Sequence, residues 1–335
     1  MKAIVVNGKG GVETLSEKQV ALPTVGAHDL LLEVRASAAN PVDVKQRKSN
    51  STPDRVLGFD GSGIVKALGD QVDKTRFAVG DEVFWAGSIT RPGSFAQFEA
   101  VDARAVAKKP KSLDFGAAAA IPLVALTAFE PIFENLRLPL DGSAANKVVL
   151  IVGGAGGVGS AVIQVAKHLL RSQTIIATAS RPETEEWCRN LGATHIINHR
   201  KSLREELDRI GVAGVDIAYV TTDLDLHYDG VIPCMNVAGA IIAITLGANA
   251  DKVAVNKLFW RRLTLSFELM FARLVGDAEV HLQGQALDVF AKLVDEGKFK
   301  PIHTTTLKGL TVENVKKSQE LLESSSTIGK IVIEH

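Results

Sequence analysis

Glycines spaced for close approach to a phosphate are the first chemistry legible in this chain of 335 residues. The stretch from Lys147 to Leu170 reads KVVLIVGGAGGVGSAVIQVAKHLL. A short apolar run, Val148–Val152, breaks into glycines that open directly into a helical pattern. Gly154, Gly156 and Gly159 fit the spacing G-x-G-x-x-G, with Ala155, Gly157 and Val158 filling the gaps and Gly153 just before. Between a strand and a helix this spacing is a dinucleotide-binding signature. The first glycine allows a tight turn, the second lets backbone approach a pyrophosphate, and the third lets helix and strand pack closely. The helix N-terminus then meets the negative charge. A glycine-rich turn in an ordinary α/β protein is the competing reading, which the flanking strand and helix disfavour.

The next strand, 174–179, runs into Thr178-Ala179-Ser180-Arg181. An NAD site places an acidic residue at this strand end for the ribose hydroxyls. Here the first acid is Glu183, beyond Arg181 and Pro182. Ser180 offers a hydroxyl and Arg181 a permanently charged fork that suits a phosphate. The pattern favours NADPH; the alternative is an Arg181 that points to solvent. Leu246 and Gly247, after the fifth strand, are expected at the carboxyl edge near the nicotinamide.

Metal chemistry finds little to work with. The only cysteines, Cys188 and Cys234, are far apart and read as buried small side chains. His195 and His199 flank a strand-like run, which would separate them by roughly 13 Å. The remaining histidines are scattered.

The elements that must position these residues follow two patterns. Residues 1–110 are β-rich, with glycine and proline punctuation. Near 114–133 the character changes to an alanine cluster and a helix-like run. From Lys147 strands (148–152, 174–179, 195–198, 215–220, 240–245) alternate with helices, which implies βαβ units and a parallel sheet. Residues 263–267 suggest a sixth strand, and 278–297 and 311–324 two amphipathic helices. A last strand at 329–333 is expected to return to the first half. Lys+Arg and Asp+Glu number 38 each, so charge gives no reason for nucleic acid or an anionic membrane as partner. No signal peptide is read at the N-terminus, and no apolar run is read as long enough to span a membrane. A cytoplasmic location is the expectation.

With these phrases in order, the chain resembles a medium-chain dehydrogenase/reductase. It is similar to the zinc-independent quinone oxidoreductase (zeta-crystallin-like) branch, and most of all to proteins called zinc-type alcohol dehydrogenase-like. The carriers are Asn40-Pro41-Val42-Asp43, Gly58-Phe59-Asp60-Gly61-Ser62-Gly63, Val79-Gly80-Asp81-Glu82-Val83, the glycine loop, and Gly329-Lys330-Ile331-Val332. The resemblance implies an α/β fold: a Rossmann doubly wound parallel sheet at 122–270, plus a GroES-like β-barrel domain from 1–121 and 271–335.

The resemblance also says where a zinc would lie. Zinc relatives carry Cys at the place of Asn40, His at that of Phe59 and Cys near Leu123. Phe59 and Leu123 offer no donor atom, and the four-cysteine lobe is missing. No metal is therefore expected. Without a Lewis acid, hydride transfer suits an acceptor that is already electrophilic, a quinone or an α,β-unsaturated carbonyl.

The remaining assignments are implied by the resemblance. Asn40 would face the substrate and donate from its amide, or simply form the turn before Pro41. Lys45 matches a lysine of enone and alkenal reductases, a candidate proton donor if desolvated; it reads equally as a solvated lysine in a charged run. Thr127 matches a threonine near the nicotinamide amide. Lys330 matches a basic residue that approaches the cofactor, or is a surface lysine. Trp85 could wall the pocket or belong to the core. A homodimer is expected, with 263–267 as a pairing edge. Rival readings are a zinc alcohol dehydrogenase and a non-catalytic, NADPH-binding crystallin or nucleic-acid binder.

Overall fold

Apolar strands alternating with helices build a sheet buried on both faces. In the computed structural model, which describes residues 1–335 except the Lys252 side chain, six parallel strands form that sheet. Their order is His195–Ile197, Thr174–Thr178, Val148–Val152, Val215–Val220, Met235–Ala243 and Thr264–Phe267. Strand order reverses beside Val148–Val152, the switch point at which doubly wound sheets bind ligands. Val149, Leu150 and Ile151 have no exposed surface. The fifth strand begins at Met235 and stops at Ala243, earlier than the expected 240–245. Among the described residues Thr264–Phe267 pairs with Met235–Ala243 and with no other strand, so it is the edge of the sheet, where Asn135 Nδ2 donates to Phe267 O at 3.3 Å.

The other unit is antiparallel for the most part. Asp29–Ala39, eleven residues long, is its spine. It pairs with Asp60–Leu68 and Phe98–Asp102 along one part and with Lys330–Glu334 along the other. Lys330–Glu334 in turn carries His303–Lys308 in parallel. The core between these strands holds Leu30, Leu32, Val65 and Trp85, all without exposed surface, so Trp85 is a core residue.

The two units comprise Met1–Leu126 with Phe271–His335, and Thr127–Met270. The first junction falls inside the helix Pro122–Glu130 rather than ahead of it at 121/122. The reason is local. Leu123 N donates to the buried Asp60 at 2.7 Å, which ties the first turn of that helix to the first unit.

Two features depart from the expectations. Pro41–Ser49 is a helix, with Pro41 in its first turn and Asp43 accepting from the Asn40 N–H at 2.8 Å. Residues Phe115–Asn135 have the length and mean hydropathy, 1.6, of a membrane span, contrary to the sequence reading. That stretch is 94% buried, and the core helix of a folded domain meets the same criteria.

Candidate active site

The dinucleotide loop lies in the unit 127–270, between Val148–Val152 and the helix Gly157–His168. Its glycines divide the labour, with the left-handed turn on Gly153, just ahead of the spaced three, and not on Gly154. Gly153 adopts φ +85°, a conformation side chains resist. A Cβ on Gly159 would lie 2.2 Å from Gly153 O, so this glycine permits helix and loop to touch. A Cβ on Gly156 would meet nothing nearer than 3.7 Å. Gly156 is therefore dispensable to the protein's own packing and keeps space open at the helix N-terminus, a cradle suited to a pyrophosphate.

Two threonines brace the loop, and neither was singled out by sequence. Thr178 Oγ1 accepts from Gly153 N at 2.9 Å, and Thr221 Oγ1 donates to Val152 O at 2.8 Å. Ser180 and Arg181 follow Thr178 at the carboxyl edge, both half-buried. Arg181 N donates to Thr184 Oγ1 at 3.2 Å, and the Arg181 Nε pairs with Glu183 Oε1 at 2.6 Å. The fork thus stands beside a carboxylate that competes with any phosphate. Gly247, at φ +86°, sits where a Cβ would strike Asp225, and Leu246 O accepts from Asp225 N at 3.2 Å. This clamp sets the loop after the fifth strand. Thr127 is 5% exposed, and its carbonyl accepts the Tyr219 hydroxyl.

The other unit holds a buried polar cluster. Asn40, Asp43, Asp60 and Lys330 have at most 3% of their surface exposed. Lys330 Nζ donates to Asp60 Oδ2 at 2.9 Å, to Ala39 O at 3.1 Å and to Asn40 Oδ1. Asn40 Nδ2 donates to Asp60 Oδ2 at 2.8 Å and to Ala38 O at 3.2 Å. Asp43 accepts from Asn40 N and Gly58 N, each at 2.8 Å. Burial pushes the Asp43 carboxyl up to about 7, against the pull of those donors and of Lys330. Burial likewise raises Asp60, opposed by the ammonium, Asn40 and Leu123.

Three expectations change on this geometry. Both amide protons of Asn40 are engaged inside the unit, so its amide has none to give a substrate carbonyl. Lys330 is neither a surface lysine nor turned to a phosphate; its ammonium has three acceptors around it. Lys45 lies on the exposed side of Pro41–Ser49, so the desolvation that its proton-donor role invoked is not provided. Asp60 was the residue missed. Its signal, an acid between Phe59 and Gly61 in a strand-like phrase, is visible only when a buried partner is known.

Zinc does not fit these side chains. Phe59 is fully buried against Phe271, ring centroids 5.4 Å apart, and Leu123 is apolar. Of the two carboxyl groups at hand, Asp60 is shared by Lys330, Asn40 and Leu123 N, and Asp43 is taken by Asn40 N and Gly58 N. Among the described residues no three His, Cys, Asp or Glu side chains gather to hold a metal ion. Burial pushes the Cys188 thiol to about 12 and Cys234 to about 11, which keeps both protonated.

Comparison with known proteins follows the same two halves. The alcohol dehydrogenase GroES-like domain model matches residues 26–111, and the zinc-binding dehydrogenase model matches 157–279. A zinc-type alcohol dehydrogenase-like protein of Staphylococcus aureus (strain Mu50 / ATCC 700699) is 38% identical over 93% of this chain and 92% of its own. The chloroplastic NADPH-dependent alkenal/one oxidoreductase of Arabidopsis thaliana is 31% identical over 99% of this chain and 79% of its own. A crystal structure from Rhizobium etli CFN 42, of a protein taken for a zinc-dependent alcohol dehydrogenase, superposes with TM-score 0.92 at 39% identity. It covers 100% of this chain and 98% of that one.

Proposed function

The chain belongs to the medium-chain dehydrogenase/reductase superfamily, and from that premise we propose that it reduces conjugated carbonyl compounds, enones, alkenals or quinones, with NADPH and without zinc. The observation that carries the proposal is the cluster where zinc relatives hold their metal. It contains an ammonium, an amide and two carboxyl groups, each already engaged within the cluster, and no set of free donors. Alcohol oxidation in the zinc relatives draws on a Lewis acid that stabilises the alkoxide left when the hydroxyl loses its proton. A conjugated acceptor spreads its developing charge over its own π-system. The likeness to an alkenal/one oxidoreductase supports this substrate class.

Bound NADPH supplies a hydride. The protein's part in holding it falls to named groups. The loop Gly154–Gly159, with the N-terminus of Gly157–His168, would take the pyrophosphate. Ser180 and Arg181 would take the 2′-phosphate, Arg181 by exchanging Glu183 for it. Leu246 and Gly247 would border the nicotinamide end. The proton that completes the reduction comes from solvent or from Lys45, whose exposed position lets it exchange with water. We also propose a cytoplasmic homodimer acting on small molecules, with no nucleic-acid partner; the edge position of Thr264–Phe267 supports the pairing.

NADPH oxidation measured against a panel of quinones, alkenals and alcohols tests the reading, alongside metal analysis of the purified protein. Turnover of conjugated acceptors by metal-free enzyme is expected. Alcohol oxidation that tracks bound zinc would overturn it.

A further inference from the structure

Four distant segments of the chain meet on one buried ion pair. Lys330 comes from the strand Lys330–Glu334, and Asp60 opens Asp60–Leu68. Asn40 precedes the helix Pro41–Ser49, and Leu123 lies in the first turn of Pro122–Glu130. Lys330 holds Asn40 by its Oδ1, and Asp60 holds Leu123 by its backbone N–H. The strand is placed for this by Gly329, at φ +60°, where a Cβ would lie 2.1 Å from Ile302 O. Each of the two helices that start here carries a candidate reactive residue within about a turn, Lys45 on one and Thr127 on the other.

We propose that the Lys330–Asp60 pair is a positioning device for the reaction, fixing the starts of both helices at once. The chain's own ammonium thereby takes over the organising role of a metal ion. The inference rests on the reaction class proposed above. Its physical basis is the accounting of donors. Removing the ammonium strips Asn40 Oδ1 of its donor and leaves Asp60 either as an uncompensated buried anion or protonated. In both states the hydrogen bonds to Asn40 and Leu123 must change together, because they share one carboxylate. Positioning is distinct from stability here. An apolar pair of similar volume can restore packing to a buried ion pair's site, but it offers no acceptor to Leu123 and no donor to Asn40.

The test compares Lys330→Met with the double variant Lys330→Met/Asp60→Leu. Three quantities are read: thermal midpoint, kcat with cofactor Kd, and hydrogen exchange at the Leu123 amide. In the single variant the midpoint and kcat both fall, kcat by about 10²-fold as expected for misplaced groups, with NADPH Kd within about twofold because the loop is untouched. In the double variant the midpoint recovers, kcat stays low and Leu123 exchange stays fast. Recovery of kcat together with the midpoint, or Leu123 exchange unchanged in both variants, would overturn the proposal. If the wild-type protein turns over no conjugated acceptor, the reaction class fails, and Leu123 exchange in the same variants still decides whether the pair fixes the helix start.

Discussion

Trp85 donates its indole N–H to Glu99 Oε2 at 2.9 Å, with both side chains in the interior. Burial pushes the Glu99 carboxyl up to about 8, against Trp85 and Arg91. A carboxyl whose pKa is raised by folding binds its proton more tightly in the native state. Stability is then unaffected below the unfolded pKa, falls as pH rises above it, and reaches its full loss above about 8. Glu99→Gln keeps an acceptor for Trp85 and has no charge to bury. It should leave stability near pH 4 unchanged and raise it by a few kcal/mol near pH 8, an order-of-magnitude figure, in chemical denaturation across pH. The glycine loop gives a paired prediction. Gly156→Ala should keep the thermal midpoint while weakening NADPH by about tenfold or more in calorimetric titration, since its Cβ finds room only until a pyrophosphate arrives. Gly159→Ala should lower the midpoint, because its Cβ meets Gly153 O at 2.2 Å. The spacing of the loop was legible in sequence because the glycines that shape it are neighbours, whereas its braces, Thr178 and Thr221, lie far along the chain. Lys330 and Asn40 were not legible, since the bond that defines them joins residues 290 positions apart.

The turn after Thr174–Thr178 carries the proposed cofactor choice at the scale of an element. Arg181 caps the helix Pro182–Leu191 while its guanidinium leans on Glu183 in the first turn. Arg181→Ala should raise the KM for NADPH by roughly 10- to 100-fold and leave that for NADH nearly unchanged, the worth of a charge-assisted hydrogen bond or two. Glu183→Gln should act the opposite way by releasing the fork; parallel kinetics with both cofactors read each effect. Elements were readable wherever their pattern was apolar. The inner parallel strands declare themselves as hydrophobic runs, whereas the edge strand Thr264–Phe267 alternates polar and apolar residues. Pro41–Ser49 does not, because its buried side chains are Asp43, Val44 and Arg47, so no apolar stripe marks the helical period. What identifies it is the proline at its start and the carboxylate two residues on.

At the scale of the molecule, the exposed apolar side chains concentrate near the sheet edge. Trp260 is 86% exposed, Phe259 75% and Val255 67%, shortly before Thr264–Phe267 in the chain. Light scattering should report a dimer for the wild type, and Phe259→Asp/Trp260→Asp should shift it to monomer with the midpoint of the dinucleotide half retained. The division into two units came from the family resemblance together with the change in composition; the junction at Leu126/Thr127 lies inside a continuous helix that neither marks. The same division sets an order of manufacture. Residues 127–270 close their unit from one uninterrupted stretch, whereas the first unit takes strands from both ends of the chain. At roughly 5–20 residues per second, a ribosome delivers every strand of the dinucleotide half well before it delivers Lys330. Until then the Asp60 carboxylate waits without its ammonium, and the central strand Asp29–Ala39 lacks its Lys330–Glu334 neighbour. The nucleotide holder is thus the part of the nascent chain that can fold first, and the Lys330–Asp60 pair closes only after it.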